Sequence, residues 1–592
     1  MTPRTFIFCS GRAITCFEQA RKASERVLGA DHPDTLASCN NLASAYQAVG
    51  DLGRAVLLYE ATLAACERVL GADHPETLQS RNNLAYAYES VGDLGRAIPL
   101  YEATLADFER VLGADHPDTL QSRNNLAGAY RAVGDLGRAI PLCEATLTDR
   151  ERVLGADHPA TLASRNNLAS AYQAVGDLGR AIPLYGATLA ACERVLGADH
   201  PATLTSRNNL AYAYRAVGDL GRAVPLFEAT LADFERVLGA DHPDTLTSRN
   251  HLASAYQAVG DLGRAVPLFE ATLADRERVL GGDHPATLIS RNNLACAYDA
   301  AGDLGRAVPL YEATLADRER VLGADHPATL TSRNNLASAY RAVGDLGRAV
   351  PLYEATLADF ERVLGADHPD TLQSRNNLAG AYRAVGDLGR AIPLYEATLT
   401  DRERVLGADH PDTLASRNNL AYAYQAVGDL GWAIPLCEAT LAACERALGP
   451  DHPDTLQSRN NLAVAYQAAG DLGRAIPLYE ATLAACERAL GPDHFSTLLS
   501  RNNLAYAYRA VGDLDRAIPL YEAALADRER ILGADDPDTL TSRNDLASAC
   551  QAAGNLGRAI ALFEATLAAC ERVLGADHST TKVVRANLEA LK

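Results

Sequence analysis

Histidine is the first residue type in this 592-residue chain to suggest chemistry. Thirteen of the 14 histidines, from His32 to His578, stand at one slot of a 42-residue spacing, each directly after an aspartate. A metal site needs several ligands within about 2 to 2.5 Å of one ion. One histidine per repeat puts each on a separate rung, so no metal is expected. An Asp–His pair such as Asp73 and His74 could orient a general base, but no nucleophile recurs in a third position beside it. The hexapeptide GDLGRA is glycine-rich, yet it follows a helical pattern rather than a strand and lacks the P-loop lysine. HExxH, GxSxG and protein-kinase signatures are absent. No enzyme activity and no cofactor are therefore expected, and the histidines read as linker packing and capping.

Asparagine, arginine and tyrosine offer recognition chemistry instead. The stretch SRNNLAYAY (Ser80 to Tyr88) sets two asparagines in the middle of a helical pattern, where their short amides compete with the backbone and disfavour helix. The first member is kept in 13 copies from Asn40 to Asn544, while His251 and Asp545 replace the second. The candidates are Asn82, Asn124, Asn166, Asn208, Asn250, Asn292, Asn334, Asn376, Asn418, Asn460 and Asn502. An amide offers donors and an acceptor, so each could grip an extended peptide backbone whatever its side chains. The same asparagines could equally hydrogen-bond neighbouring helices and hold the array in register. Three slots vary around them, those of Gln79, Tyr86 and Glu89. The last is arginine at Arg131, Arg215, Arg341, Arg383 and Arg509, suited to holding carboxylates. Tyr86, Tyr212, Tyr422 and Tyr506 would supply aromatic anchors.

The elements that must position these residues follow from the repeat. DHP begins at Asp31 and recurs every 42 residues to Asp451, with DHF at Asp493, DDP at Asp535 and DHS at Asp577, without insertion or deletion. Each unit holds two helical patterns. The first, Pro75 to Val91, opens with Asp73 as the expected cap and Pro75 at an early helical position, and stops at GDLG. Asp93 caps the second, which ends at Leu112 and Gly113 and carries an apolar stripe of Leu94, Ile98, Tyr101, Leu105 and Leu112. Pro99 predicts a slight kink. At ~100° per residue, Leu84, Tyr88 and Val91 face the core, and positions 79, 82, 83, 86, 89 and 90 lie opposite. The slot read as Cys66, Phe108, Arg150, Cys192 and Phe234 looks like packing adjustment.

These features carry a resemblance. NNLAYAYESVGDLGRAIPLYEATL (Asn82 to Leu105) resembles a tetratricopeptide repeat, with Leu84, Ala85, Tyr88, Gly92, Ala97 and Tyr101 in the signature slots. The 42-residue period, the LGxDHP linker, NNLA and AxPLY are similar to the kinesin light chain subtype. Arg81 stands where that family often has tryptophan, and Thr104 where alanine is usual. The resemblance implies an all-α fold, a right-handed α-solenoid of about 13 helix-turn-helix units. It also implies that the face bearing the asparagines, arginines and tyrosines lines a concave groove for extended peptides. Residues 1–28 read as an incomplete repeat with a second-type helix from about Gly11, 29–574 as thirteen units, and 575–592 as a lone capping helix. MTPRTFIFCS leaves Phe6, Ile7 and Phe8 at an apolar end, which fits either truncation of a longer protein or a docking segment.

Composition narrows the partners. A formal net charge of −20 opposes general binding to nucleic acid or an anionic membrane and leaves protein or peptide ligands, with acidic side chains matching the arginine slots. No run of about 18 apolar residues exists, and the twelve cysteines form no CxxC pair, which suits a cytoplasmic protein. The expected function is a non-enzymatic scaffold for protein–protein interaction. Two alternatives are the partner-binding arm of a larger bacterial NTPase-type regulator and a solenoid that associates end to end.

Overall fold

The computed structural model describes the backbone of residues 3–591 and the side chains of residues 14–591. Among them are twenty-eight helices and no strand. A first helix, Pro3–Leu28, precedes thirteen pairs, and Ser579–Glu589 follows them. The opening helix begins at Pro3, earlier than the expected Gly11; the side chains of Phe6, Ile7 and Phe8 lie outside the described residues.

The pair Pro75–Ser90 and Leu94–Leu112 shows why each unit folds as it does. His74, extended at φ −70° and ψ 135°, is the N-cap, and its Nδ1 accepts from the Glu76 amide at 3.3 Å. The expected cap, Asp73, sits one residue too early. It turns back to pair with Arg110, whose Nη1 donates to its Oδ2 at 2.9 Å. Gly92 (φ 79°) closes the helix, with the Asp93 amide donating to the Tyr88 carbonyl at 2.9 Å. Asp93 then caps the second helix, as expected, accepting from the Arg96 amide at 3.0 Å. That helix runs through Pro99 to the positive-φ Gly113.

Between the two helices, Leu84, Ala85, Ala87 and Tyr88 bury against Ala97, Tyr101, Thr104 and Leu105. Tyr101 is wholly buried, and an aromatic or large aliphatic side chain so placed contributes about 1.5–3 kcal/mol. Tyr88 donates to Glu60 of the preceding unit at 2.5 Å, and the Arg96 guanidinium lies 4.2 Å from its ring centroid. Arg81 uses the slot of the family's tryptophan to tie two second-type helices together. Its Nη1 donates to Asp107 at 2.7 Å and its Nη2 to Glu67 at 3.4 Å.

The chain forms two compact units, Met1–Leu394 with Arg404–Leu406, and Tyr395–Glu403 with Gly407–Lys592. In the second, one core runs from Ala421 to Leu588 and includes Tyr479, Tyr521 and Phe563. The single tryptophan, Trp432, is exposed there and stacks on Tyr424, centroids 6.3 Å apart.

In the first unit, helices far apart in sequence meet end to end. His368 Nδ1 accepts from the Asp370 amide at 3.1 Å, which places the ring proton on Nε2. That Nε2–H donates to the Ala132 carbonyl at 3.2 Å, 236 residues back along the chain. His284 and His326 make the same kind of backbone contact, to Ala48 and Ser90. Gly50, Gly92 and Gly134 allow this approach: a Cβ there would fall 2.7, 2.5 and 2.5 Å from Pro285, Pro327 and Pro369 respectively. The linker histidines are thus helix caps, and His284, His326 and His368 also clasp one superhelical turn to the next.

Candidate functional site

The recurring asparagines do not lie on an open face. Asn82, Asn208, Asn250, Asn334, Asn376 and Asn460 are buried, and Asn124, Asn166, Asn292, Asn418 and Asn502 are half-buried, at the seam between consecutive first-type helices. Across that seam the second asparagine of one unit donates to the first of the unit before. Asn167 reaches Asn124 at 3.0 Å, Asn209 reaches Asn166 at 2.9 Å, and Asn293 reaches Asn250 at 3.3 Å. Asn335 to Asn292 at 3.1 Å and Asn503 to Asn460 at 3.0 Å repeat the bond. Ser374 donates to Asn334 at 3.4 Å. The helical wheel set the pair opposite the core; in the structure the next unit's first helix covers that side. These bonds tie one first-type helix to the next, and a peptide would have to displace them to reach the amides.

Four rungs depart from this pattern. The Oδ1 atoms of Asn82, Asn208, Asn418 and Asn502 are buried without a hydrogen-bond partner. These are the units in which the fourth residue on is tyrosine, and Tyr86, Tyr212, Tyr422 and Tyr506 are 40–54% exposed. Three of the four amides turn their nitrogen toward the following unit: Asn208 to His251 (3.1 Å), Asn418 to Ser458 (2.7 Å) and Asn502 to Asp545 (3.3 Å). Each of these rungs therefore combines spare acceptor capacity with an exposed aromatic ring.

The arginine slots are unequal. Arg131 is exposed and donates to Ser170 at 2.8 Å. Arg215 and Arg509 are half-buried over the rings of Tyr212 and Tyr506, at 4.5 and 5.0 Å. Arg341 and Arg383 are also half-buried. Arg341 draws down the Asp299 carboxyl, although burial raises it more, so part of that arginine's charge is met within the chain. Glu89 accepts from Tyr101 at 3.1 Å, and burial pushes its carboxyl up.

One place gathers several predicted residues. A cavity of about 490 Å³ is lined by Arg131, Ser170, Gln173, Tyr185, Tyr212 and His251, among others. His251 replaces the usual asparagine, and burial together with the positive charges of Arg215 and Arg276 pushes its pKa down to about 4. The imidazole stays neutral at pH 7, and the cation at the mouth is Arg131. Among the described residues no group of histidine, cysteine or carboxylate side chains is arranged to hold a metal ion.

The slot of Phe108 is more than packing adjustment. Arg150, Arg276, Arg318, Arg402 and Arg528 occupy it fully buried, with Nη1 donating to a serine hydroxyl and a backbone carbonyl of the next helix. Where the slot is Phe108 or Phe234, the facing Ser122 and Ser248 hydroxyls have no partner. A charged residue alternating with phenylalanine and cysteine was the available sequence signal.

Such a fold, stacked helix pairs with a hydrogen-bonded seam and a variable inner edge, defines an α-solenoid of the repeat-scaffold class. The family model for the tetratricopeptide repeat matches in overlapping stretches from residues 9–68 through 496–572. The chain belongs to the tetratricopeptide repeat family. Among solved structures it is similar to the nearly identical TPR-like repeats of a Podosopora anserina protein described as a kinesin light chain. Identity is 36% over 35% of this chain and 97% of that one, with a TM-score of 0.31. BtubC (BKLC) from P. vanneervenii is 22% identical over 41% of this chain and 92% of that one, with a TM-score of 0.33. Cut9–Hcn1 of the APC/C is 16% identical over 95% of this chain and 97% of that one, with a TM-score of 0.39. No curated protein matches. No helix among the described residues is long and apolar enough to cross a membrane.

Proposed function

We propose that the chain is a non-enzymatic scaffold that holds extended, acidic peptide segments of partner proteins along the edge formed by the Tyr86 and Glu89 slots of its first-type helices. The observation that carries this is the cavity in which Arg131 and Tyr212 converge beside the neutral His251. It offers one exposed cation for a carboxylate and an aromatic wall for an apolar neighbour, over a frame that the asparagine seam keeps rigid. The tyrosines carry the larger share of contact area, and the arginines select acidic over basic segments. The eleven described cysteines are all free, which supports a reducing, cytoplasmic setting.

The test is selection of random 12-residue peptides on the intact chain, followed by fluorescence anisotropy with the variants Arg131→Ala and Tyr212→Ala. Selected peptides should be rich in Asp and Glu, and each substitution should weaken binding about five- to thirty-fold, the loss of roughly 1–2 kcal/mol. Basic consensus peptides, or unchanged affinity in both variants, would refute the proposal.

A further inference from the structure

Arginine 318 is buried without a counter-charge, and unlike Arg150 and Arg276 it lacks an acceptor among the described residues for its second guanidinium nitrogen. It is 5% exposed, and its Nη1 donates to the Ala328 carbonyl and the Ser332 hydroxyl, both at 2.7 Å. In Arg150 and Arg276 the other guanidinium nitrogen, Nη2, is also satisfied, by Gln121 and Thr247, both at 2.9 Å. Those acceptors stand 29 residues back. The same slot before Arg318 is Ile289, which has no acceptor to give. No acceptor among the described residues meets Arg318 Nη2, and burial pushes its pKa down to about 10. A desolvated cation left unpaired is a cost that an anion can relieve.

Arg318 also lines a cavity of about 580 Å³ in the first compact unit, where the clasped superhelical turns meet. Leu52 and Tyr86 come from the earlier turn, and Pro285, Ile289 and Leu322 from the later one. Neither aspartate nor glutamate lines it, and Arg318 is the only lysine or arginine that does. The two histidines on its wall are committed elsewhere. Nδ1 of His284 and His326 accepts from the Ala286 and Ala328 amides at 3.1 and 3.0 Å, and the opposite side of each ring faces the Ala48 and Ser90 backbone. Burial holds both rings below the usual histidine range, hence neutral. The site therefore presents one buried positive charge, neutral donors and a largely apolar wall, within the roughly 300–1,000 Å³ typical of small-molecule sites.

We propose that this cavity binds a small organic monocarboxylate on an apolar stem, with the Arg318 guanidinium as counter-ion and the apolar walls around the stem. A phosphate dianion suits it less, since a second charge would find no second cation. The ligand touches both turns, so occupancy stabilises their contact. The site stands apart from the Arg131–Tyr212 cavity, and the proposal does not depend on peptide binding.

The probe is octanoate, titrated calorimetrically into the full chain beside 1-octanol and octyl phosphate. Octanoate should bind saturably to one site and at least ten-fold more tightly than either control. Arg318→Cys should abolish that preference. Cysteine already fills the same slot at Cys66, Cys192 and Cys444, so the unit tolerates it. Ile289→Glu is the second variant: at a half-exposed position it supplies the missing acceptor from within and should lower octanoate affinity at least ten-fold without removing the arginine. Arg150→Cys should leave binding unchanged. Hydrogen exchange should slow at residues 47–52 and 284–289 when octanoate binds the wild type. Absence of saturable binding, equal affinity for octanol, or unchanged octanoate affinity in both Arg318→Cys and Ile289→Glu would overturn the proposal.

Discussion

Asparagine 460 gives the most quantitative test of the seam. It is 8% exposed, and its Oδ1 accepts from Asn503 at 3.0 Å between consecutive first-type helices. Asn460→Ala removes the acceptor and leaves the Asn503 N–H half-buried without it. A neutral hydrogen bond contributes about 1 kcal/mol net, and a stranded polar group costs about 1–3 kcal/mol. A loss of about 2 kcal/mol is therefore expected, which corresponds to about thirty-fold faster local opening at 1.4 kcal/mol per tenfold. Because contacts in a solenoid are between neighbours, the effect should be confined to nearby units. Native-state hydrogen exchange of the amides from Leu462 to Tyr466 measures it. Asn82→Ala is the contrast. Its Oδ1 has no partner, so the corresponding amides from Leu84 to Tyr88 should change by less than about three-fold. The double variant Asn460→Ala/Asn503→Ala should show a coupling of about 1 kcal/mol. Equal effects at Asn460 and Asn82, or no coupling, would refute the register role.

Three further predictions use the same structure. Arg276→Phe replaces a buried cation that has no carboxylate partner by the residue found at Phe108, Phe234 and Phe360; the melting temperature should hold or rise, whereas Arg276→Ala should lower it. His251 has a folded pKa of about 4 against an ordinary 6.5. The unfolded chain therefore binds the extra proton first, and stability present above pH 6.5 should fall by up to about 3 kcal/mol as pH drops toward 4. His251→Asn should remove that part of the slope in urea titrations at pH 7 and pH 4.5. Trp432→Arg restores the residue of Arg96 and its copies, and Asp429, which makes no side-chain cap bond, should regain one; thermal unfolding followed by far-ultraviolet circular dichroism should show a gain of about 0.5–1 kcal/mol.

Much of the fold was legible because the repeat states it thirteen times. Proline after DH, glycine at Gly92 and Gly113, and the stripe from Leu94 to Leu112 fix both helices and their ends by local rules. The cap was misplaced by one residue because aspartate is the stronger generic cap, whereas the extended residue before Pro75 is His74. The asparagine face was found, but not what covers it. A helical wheel gives direction only, and a first-type helix in a solenoid also packs against the first-type helices before and after it. Two features had no signal within a single unit. The contact of Gly92 with Pro327 arises from small rotations summed over several repeats. The isolation of Arg318 depends on isoleucine at a slot 29 residues earlier, visible only once the helices are in place.

The central claim, that partners lie along the inner edge of the first-type helices, is tested most directly by hydrogen exchange of the full chain with and without a selected acidic peptide. Protection is predicted at residues 128–131, 170–173 and 212–215, next to the cavity lined by Arg131 and Tyr212, with no change on the second-type helices at residues 141–152 and 183–194. Protection confined to those second-type segments, with the first-type residues unaffected, would contradict it.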